Sequence, residues 1–111
     1  MFLLISHDIS LHPDTDPEEF ERFVRDVDYP TCPAFRSLLA FTVVRDPKGP
    51  GLYRELIFTT GSDAFARDME SKEFRELEKR FSALATVTSE TVEEVVGEGY
   101  GVPLGVERKE A

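Results

Sequence analysis

The nine residues Asp28-Tyr29-Pro30-Thr31-Cys32-Pro33-Ala34-Phe35-Arg36 separate two hydrophobic periods, and the fold follows from where that change falls. Before them, Phe20, Phe23, Val24 and Val27 recur at helical spacing and form one apolar stripe. After them, Leu38 to Arg45 is a strand-like run apolar on both faces, with Leu39, Phe41 and Val43 against Leu38, Ala40 and Val44. The two prolines are expected to end the helix, because each lacks an N–H and restricts the residue before it. Yet the stretch carries a tyrosine, the only cysteine, a phenylalanine and an arginine. A spacer more often uses Gly, Ser, Asn and Asp. Two readings stay open: a rigid connector that packs its aromatics, or one wall of a ligand pocket.

Working outward, the helix is predicted to begin at Asp16. Pro17 suits the first helical position, and Glu19 stands three residues after Asp16, the spacing of a capping box. Glu18–Arg22 and Glu21–Arg25 are i,i+4 pairs on a solvated face. Upstream, Phe2 to Ile9 reads as a strand whose two faces both begin apolar. Downstream, Asp46-Pro47-Lys48-Gly49-Pro50-Gly51 is a dense turn signal, so Leu38–Arg45 and Leu52–Thr60 are expected to pair as a hairpin. A second helical region follows, with Phe65 and Met69 on one face. Ser71 is a fresh cap, after which Phe74, Leu77, Phe81 and Leu84 restart the stripe. The β-branched content of Thr91 to Gly99 predicts a fourth strand there.

The order strand–helix–strand–strand–helix–strand is the ferredoxin-like βαββαβ arrangement, an α+β fold with two helices on one face of a four-stranded antiparallel sheet. One domain over residues 1–101 and a C-terminal tail over 102–111 account for the 111 residues. The helices cover one face only. Strands apolar on both faces need a second cover, and the sheet of another copy predicts a homodimer.

Bulk properties narrow the function. A net charge of -9 repels a phosphate backbone and an anionic membrane surface, so neither nucleic acid nor membrane is an expected partner. Phe2-Leu3-Leu4-Ile5 is too short for a signal h-region or a membrane span, and one cysteine suits a reducing compartment. A cytoplasmic protein is expected. There is no P-loop, dinucleotide fingerprint or serine elbow. His7 and His12 with Asp8 and Asp14 lack the spacing that would place them together as ligands. Neither a cofactor nor a metal is predicted.

Two runs carry a resemblance. Val27-Asp28-Tyr29-Pro30-Thr31-Cys32-Pro33 follows an acidic helix, and Tyr53-Arg54-Glu55-Leu56 precedes Asp63-Ala64-Phe65-Ala66-Arg67-Asp68-Met69-Glu70-Ser71-Lys72-Glu73-Phe74. Together they resemble the RedY-like family of small proteins from prodiginine pigment pathways, over most of residues 2 to 100. The resemblance implies a dimeric α/β-barrel of the wider group that includes small monooxygenases and lactone isomerases. It further implies a role in secondary metabolism on aromatic nitrogen heterocycles, some relatives being cofactor-free cyclases of bisindole intermediates. It brings no catalytic motif with it, so the site is sought in the residues.

In this topology the first and third strands are antiparallel neighbours, which sets the end of the first, at His7, beside the start of the third, at Tyr53 and Glu55. Histidine exchanges protons near neutral pH, and burial disfavours the charged form of a glutamate, so His7 and Glu55 are the candidate acid–base pair. The bland alternative has His7 closing a strand end and Glu55 pairing with Arg54 or Arg45 in solvent. If Tyr29–Arg36 folds back as a roof, Tyr29, Cys32, Phe35 and Arg36 join Phe41 and Tyr53 as substrate-binding residues. Tyr29 then offers a hydroxyl and Arg36 an anchor for a substrate carboxylate. Cys32 is expected to pack rather than react. The resulting expectation is a cofactor-independent cyclase of a reactive indole- or pyrrole-derived intermediate. A non-catalytic binder of such an intermediate and a cofactor-free monooxygenase are the alternatives.

Overall fold

The structure, a computed structural model, describes residues 1–101, and the expected tail, 102–111, lies outside the described residues. Strand β1 (Leu3–Leu11) leads into helix α1 (Pro17–Phe23), which runs on through wider and tighter turns, with the short α2 (Tyr29–Thr31) among them, to Ala34. Strands β2 (Leu38–Arg45) and β3 (Leu52–Thr59) follow, then helices α3 (Ser62–Met69) and α4 (Lys72–Ser82) and strand β4 (Ala85–Glu94). The sheet is antiparallel with the order β2-β3-β1-β4, so the ferredoxin-like arrangement is what forms.

Local chemistry places the helix starts. The Asp16 carboxylate accepts the Glu18 N–H at 2.9 Å, and Ser71 Oγ accepts the Phe74 N–H at 3.1 Å. Each satisfies one of the amides that a first helical turn leaves free. The break between α3 and α4 at Ser71 therefore follows from its cap.

The segment 24–34 departs from expectation, because the prolines do not stop the helix. Val24–Asp28 is a π-turn, in which the Tyr29 N–H reaches back five residues to Val24 O. That extra residue per turn removes the clash between the Pro30 ring and the carbonyl four residues before it. Pro30 then opens the single turn α2 (Tyr29–Thr31), and Pro33 opens a 3₁₀ turn, Cys32–Ala34. Both prolines thus occupy N-terminal positions, where a missing N–H costs nothing. Thr31 Oγ1 donates to Val27 O at 2.6 Å and Cys32 Sγ to Asp28 O at 3.3 Å, absorbing carbonyls that the irregular turns release.

The fourth strand also starts earlier than expected, at Ala85 rather than Thr91, and Val96 beyond it is exposed. As an edge strand it is exposed after its first residue and is rich in Thr, Ser and Glu, so hydrophobic content did not mark its start.

Register pairs Ile5 with Ile57, His7 with Glu55 and Ile9 with Tyr53 across β1 and β3. With side chains alternating along each strand, these residues share the face that the helices cover. One half of this face is filled: Ile9, Phe20, Phe23, Val24, Tyr53 and Ala85 form the buried core. The Phe20 ring lies 4.8 Å from that of Tyr53. The reverse face presents Leu4, Leu52, Leu56 and Phe58 among Ser6, Asp8 and Arg54, half-buried or exposed and without a covering helix among the described residues. Among the described residues, no helix is long and apolar enough to cross a membrane.

Candidate functional site

The other half of the covered face is hollow. A half-open cavity of about 230 Å³ lies between the sheet and the helices. His7, Glu55, Ile57 and Phe41 form its floor, Phe65, Phe74, Leu77 and Phe81 its roof, and Asp28, Cys32 and Phe35 one side. The lining is largely aromatic and aliphatic, with a few ionisable groups, the make-up of a small-molecule site.

Sheet register sets the polar floor. Because His7 lies opposite Glu55 on β3 and opposite Glu90 on β4, its ring stands between two carboxylates. Nδ1 lies 2.5 Å from Glu55 Oε2 and Nε2 lies 2.7 Å from Glu90 Oε2. His7 and Glu55 are mostly buried, whereas the Glu90 side chain is 59% exposed. The hydrogen bond to Glu55 pushes the His7 pKa up to about 8; burial opposes this and Glu90 adds to it. At neutral pH the ring is an imidazolium that donates from both nitrogens.

Asp28 faces the same cavity from the end of the π-turn and is 6% exposed. Its carboxyl has no hydrogen-bond partner among the described residues. Burial, and then the charge of Glu55, pushes its pKa up to about 7. Sequence reasoning did not single it out. The signal was present, since Asp28 follows Phe20 and Val24 at four-residue steps and so interrupts the apolar stripe with a carboxylate.

Of the expected substrate-binding residues, Cys32, Phe35 and Phe41 line the cavity with His7 and Glu55. Burial pushes the Cys32 thiol up to about 12, reinforced by the charges of Asp28 and Glu55, so it is neutral at physiological pH. Tyr29, Tyr53 and Arg36 do not line the cavity. The Tyr29 hydroxyl accepts the Val43 N–H at 3.0 Å and its ring meets Phe41 edge-on, so it closes the free edge of β2. Tyr53 belongs to the filled half, buried against Phe20, with its hydroxyl donating to Glu21 at 2.6 Å. Arg36 is exposed because its neighbours take the inward positions. Phe35 packs toward Phe74, and Ser37 donates its N–H and hydroxyl to Asp68. No lysine or arginine lines the cavity among the described residues, and its one cationic group, His7, already stands between two carboxylates. His12 stands apart, bonded to Thr86. Among the described residues no three His, Cys, Asp or Glu side chains are grouped as metal ligands would be.

Chemically, a cationic acid, a carboxylate and a carboxyl that titrates near neutrality share an apolar, half-closed space. Such groups move protons at pH 7 without a strong acid or base.

Comparison with known proteins agrees with this architecture. The crystal structure of HapK from Hahella chejuensis is 37% identical, covering 91% of this chain and 98% of that one, with a TM-score of 0.79. SnoaB, a cofactor-independent oxygenase from Streptomyces nogalater, is 17% identical over 90% of this chain and 98% of its own, at TM-score 0.73. A protein from Chloroflexus aurantiacus, assigned to the antibiotic biosynthesis monooxygenases, is 12% identical over 92% of this chain and 99% of its own, at 0.75. These last two share the fold. No curated protein matches the chain. The family model of the REDY-like protein HapK matches residues 4–96, and with the likeness to HapK itself this shows that the chain belongs to the REDY-like HapK family.

Proposed function

We propose that the protein is a cofactor-independent cyclase of secondary metabolism, acting by acid–base catalysis on a reactive indole- or pyrrole-derived intermediate, bisindole-like in size. The observation that carries this reading is His7 held between Glu55 and Glu90 on the floor of an aromatic cavity. A cyclisation that rearranges bonds without oxidation needs one proton delivered and one removed. The Glu55 carboxylate accepts one through the oxygen not bonded to His7, and the His7 imidazolium delivers the other from Nε2 once the exposed Glu90 side chain releases it. A half-open cavity of about 230 Å³ limits the conformers a flexible intermediate can adopt. Arg36 is exposed and lies outside the cavity, so the ligand is read without a carboxylate anchor. A cytoplasmic location, where the lone thiol stays reduced, belongs to the same reading.

The test is product distribution from a bisindole-type intermediate, with purified protein and no added cofactor. Wild type shifts it toward one cyclised product, and His7→Ala or Glu55→Gln lowers that rate about 10²-fold or more. Full activity in both variants would overturn the assignment. Saturable binding with no change in products would mark a binder, and oxygen uptake an oxygenase.

The same reading includes a homodimer formed through the uncovered sheet face, where Leu4, Leu52, Leu56 and Phe58 cluster. Sedimentation equilibrium is expected to return twice the chain mass, and Leu56→Arg to return the single chain. A monomeric wild type would refute it.

A further inference from the structure

Asp28 is the buried ionisable group that the proposed chemistry leaves unused. The other charged groups of the cavity are matched or exposed. His7 has Glu55 and Glu90, Asp68 accepts from Ser37, and Glu78 is exposed. Asp28 lies 6% exposed, points into the cavity and has no hydrogen-bond donor among the described residues. No side-chain oxygen sealed from solvent lacks a partner among the described residues, so the unpaired Asp28 oxygens are reached through the half-open cavity, where a ligand donor can replace water. The π-turn that presents it is a departure from α-helical geometry of the kind that collects at functional sites.

We propose that the Asp28 carboxyl is the recognition group of the cavity, and that it takes the N–H of a planar aromatic cation of amidinium type. The lining supports the sign of that charge. It holds four carboxyl groups, Asp28, Glu55, Asp68 and Glu78, against a single histidine. Aromatic walls from Phe35, Phe41 and Phe74 suit a flat ligand, and ring faces attract a cation. A buried charge-assisted hydrogen bond then fixes the ring in one orientation over His7 and Glu55. The inference rests on this cavity being the ligand site of the proposed function, and is independent of whether the bound ligand turns over.

Asp28 titrates near pH 7, so at pH 6 it is mostly protonated, and binding a cation drives that proton to the buffer. The groups facing it are His7 on β1, Glu55 on β3, Cys32 beside it, Asp68 on α3 and Glu78 on α4, with Glu90 on β4 behind His7. Asp28→Asn leaves all of these in place.

The experiment is calorimetric titration with three isosteric probes: 2-naphthamidine as the cation, 2-naphthamide as the neutral form and 2-naphthoate as the anion. Wild type is expected to bind the amidine at least tenfold more tightly than the amide, and the naphthoate most weakly. At pH 6 the heat of amidine binding depends on the ionisation heat of the buffer. In Asp28→Asn the amidine preference falls about tenfold and the buffer dependence disappears, while amide binding stays within twofold. His7→Ala retains the amidine preference, which separates this proposal from the catalytic one. Naphthoate binding as tightly as the amidine, or an unchanged preference in Asp28→Asn, would overturn it.

Discussion

Glu21 and Asp28 lie seven residues apart on one continuous helical segment and meet opposite fates. The Glu21 carboxylate accepts the Tyr53 hydroxyl at 2.6 Å and two Arg45 N–H groups at 2.8 and 2.6 Å. Arg45 first, and Tyr53 after it, hold its pKa down to about 2. Asp28, one π-turn further on, has no donor, and burial drives it up to about 7. The lesson concerns supply of partners rather than residue type. Where the sheet is filled by Phe20 and Tyr53, each polar group is matched. Where it is hollow, carboxyl groups outnumber donors, and their chemistry is free to act on a ligand.

That contrast breaks most readily at Asp28. A group whose folded-state pKa stands above its unfolded value contributes stability that is fully present below the unfolded pKa and is lost as pH rises through the folded one. For Asp28 that window runs from about 3.8 to about 7. The isosteric Asp28→Asn, which does not titrate, should therefore match wild type near pH 3. It should be more stable by about 2 kcal/mol above pH 7.5, part of the full shift being lost to relaxation and water entry. In melting experiments this is a rise of about 8 °C. Glu21→Gln should move the other way. Its stabilisation is present above the unfolded pKa of 4.5 and lost as pH falls through about 2, so at pH 7 the variant loses stability. The loss should be only about 1 kcal/mol, because Arg45 is largely solvated. Urea denaturation at pH 3 and pH 8 reads both signs. If the two variants shift stability in the same direction at pH 8, the distinction between the matched and unmatched ends fails.

Much of the fold was legible because its signals are local. The Asp16 and Ser71 caps, the turn at 46–51 and the alternation in β1 to β3 each act within a few residues, and their order sufficed for the topology. Topology in turn placed His7 beside Glu55, since antiparallel neighbours leave little freedom in register. What stayed hidden depends on longer reach. Tyr53 and Glu55 share a strand face, and nothing local says that the Phe20 ring fills the space over one and leaves the other open. Asp28 was obscured because Pro30 suggested a helix end, whereas a π-turn carried the segment on and turned the carboxyl inward. Glu90 escaped because β4, an exposed edge strand, does not advertise its start through hydrophobic residues. Chemistry alone points Arg36 inward, but Phe35 and Ser37 take the inward positions.

The smallest effect probes the floor of the cavity itself. Glu55 is the first cause of the raised His7 pKa, and Glu90 adds less against the opposing pull of burial. Glu90 is also 59% exposed, so solvent and salt screen its charge. Glu90→Gln should thus lower the His7 midpoint from about 8 only part of the way toward 6.5, a change of about 0.2–1 kcal/mol. Because the stability that His7 lends is present below 6.5 and lost as pH rises through the folded value, the variant should begin to lose it at lower pH. Titration of the His7 ring by NMR gives the midpoint directly, and Glu55→Gln should depress it further than Glu90→Gln does. The reverse ranking would mean that the exposed carboxylate, not the buried one, governs the ring. The deep half of the sheet would then owe its electrostatics to the rim.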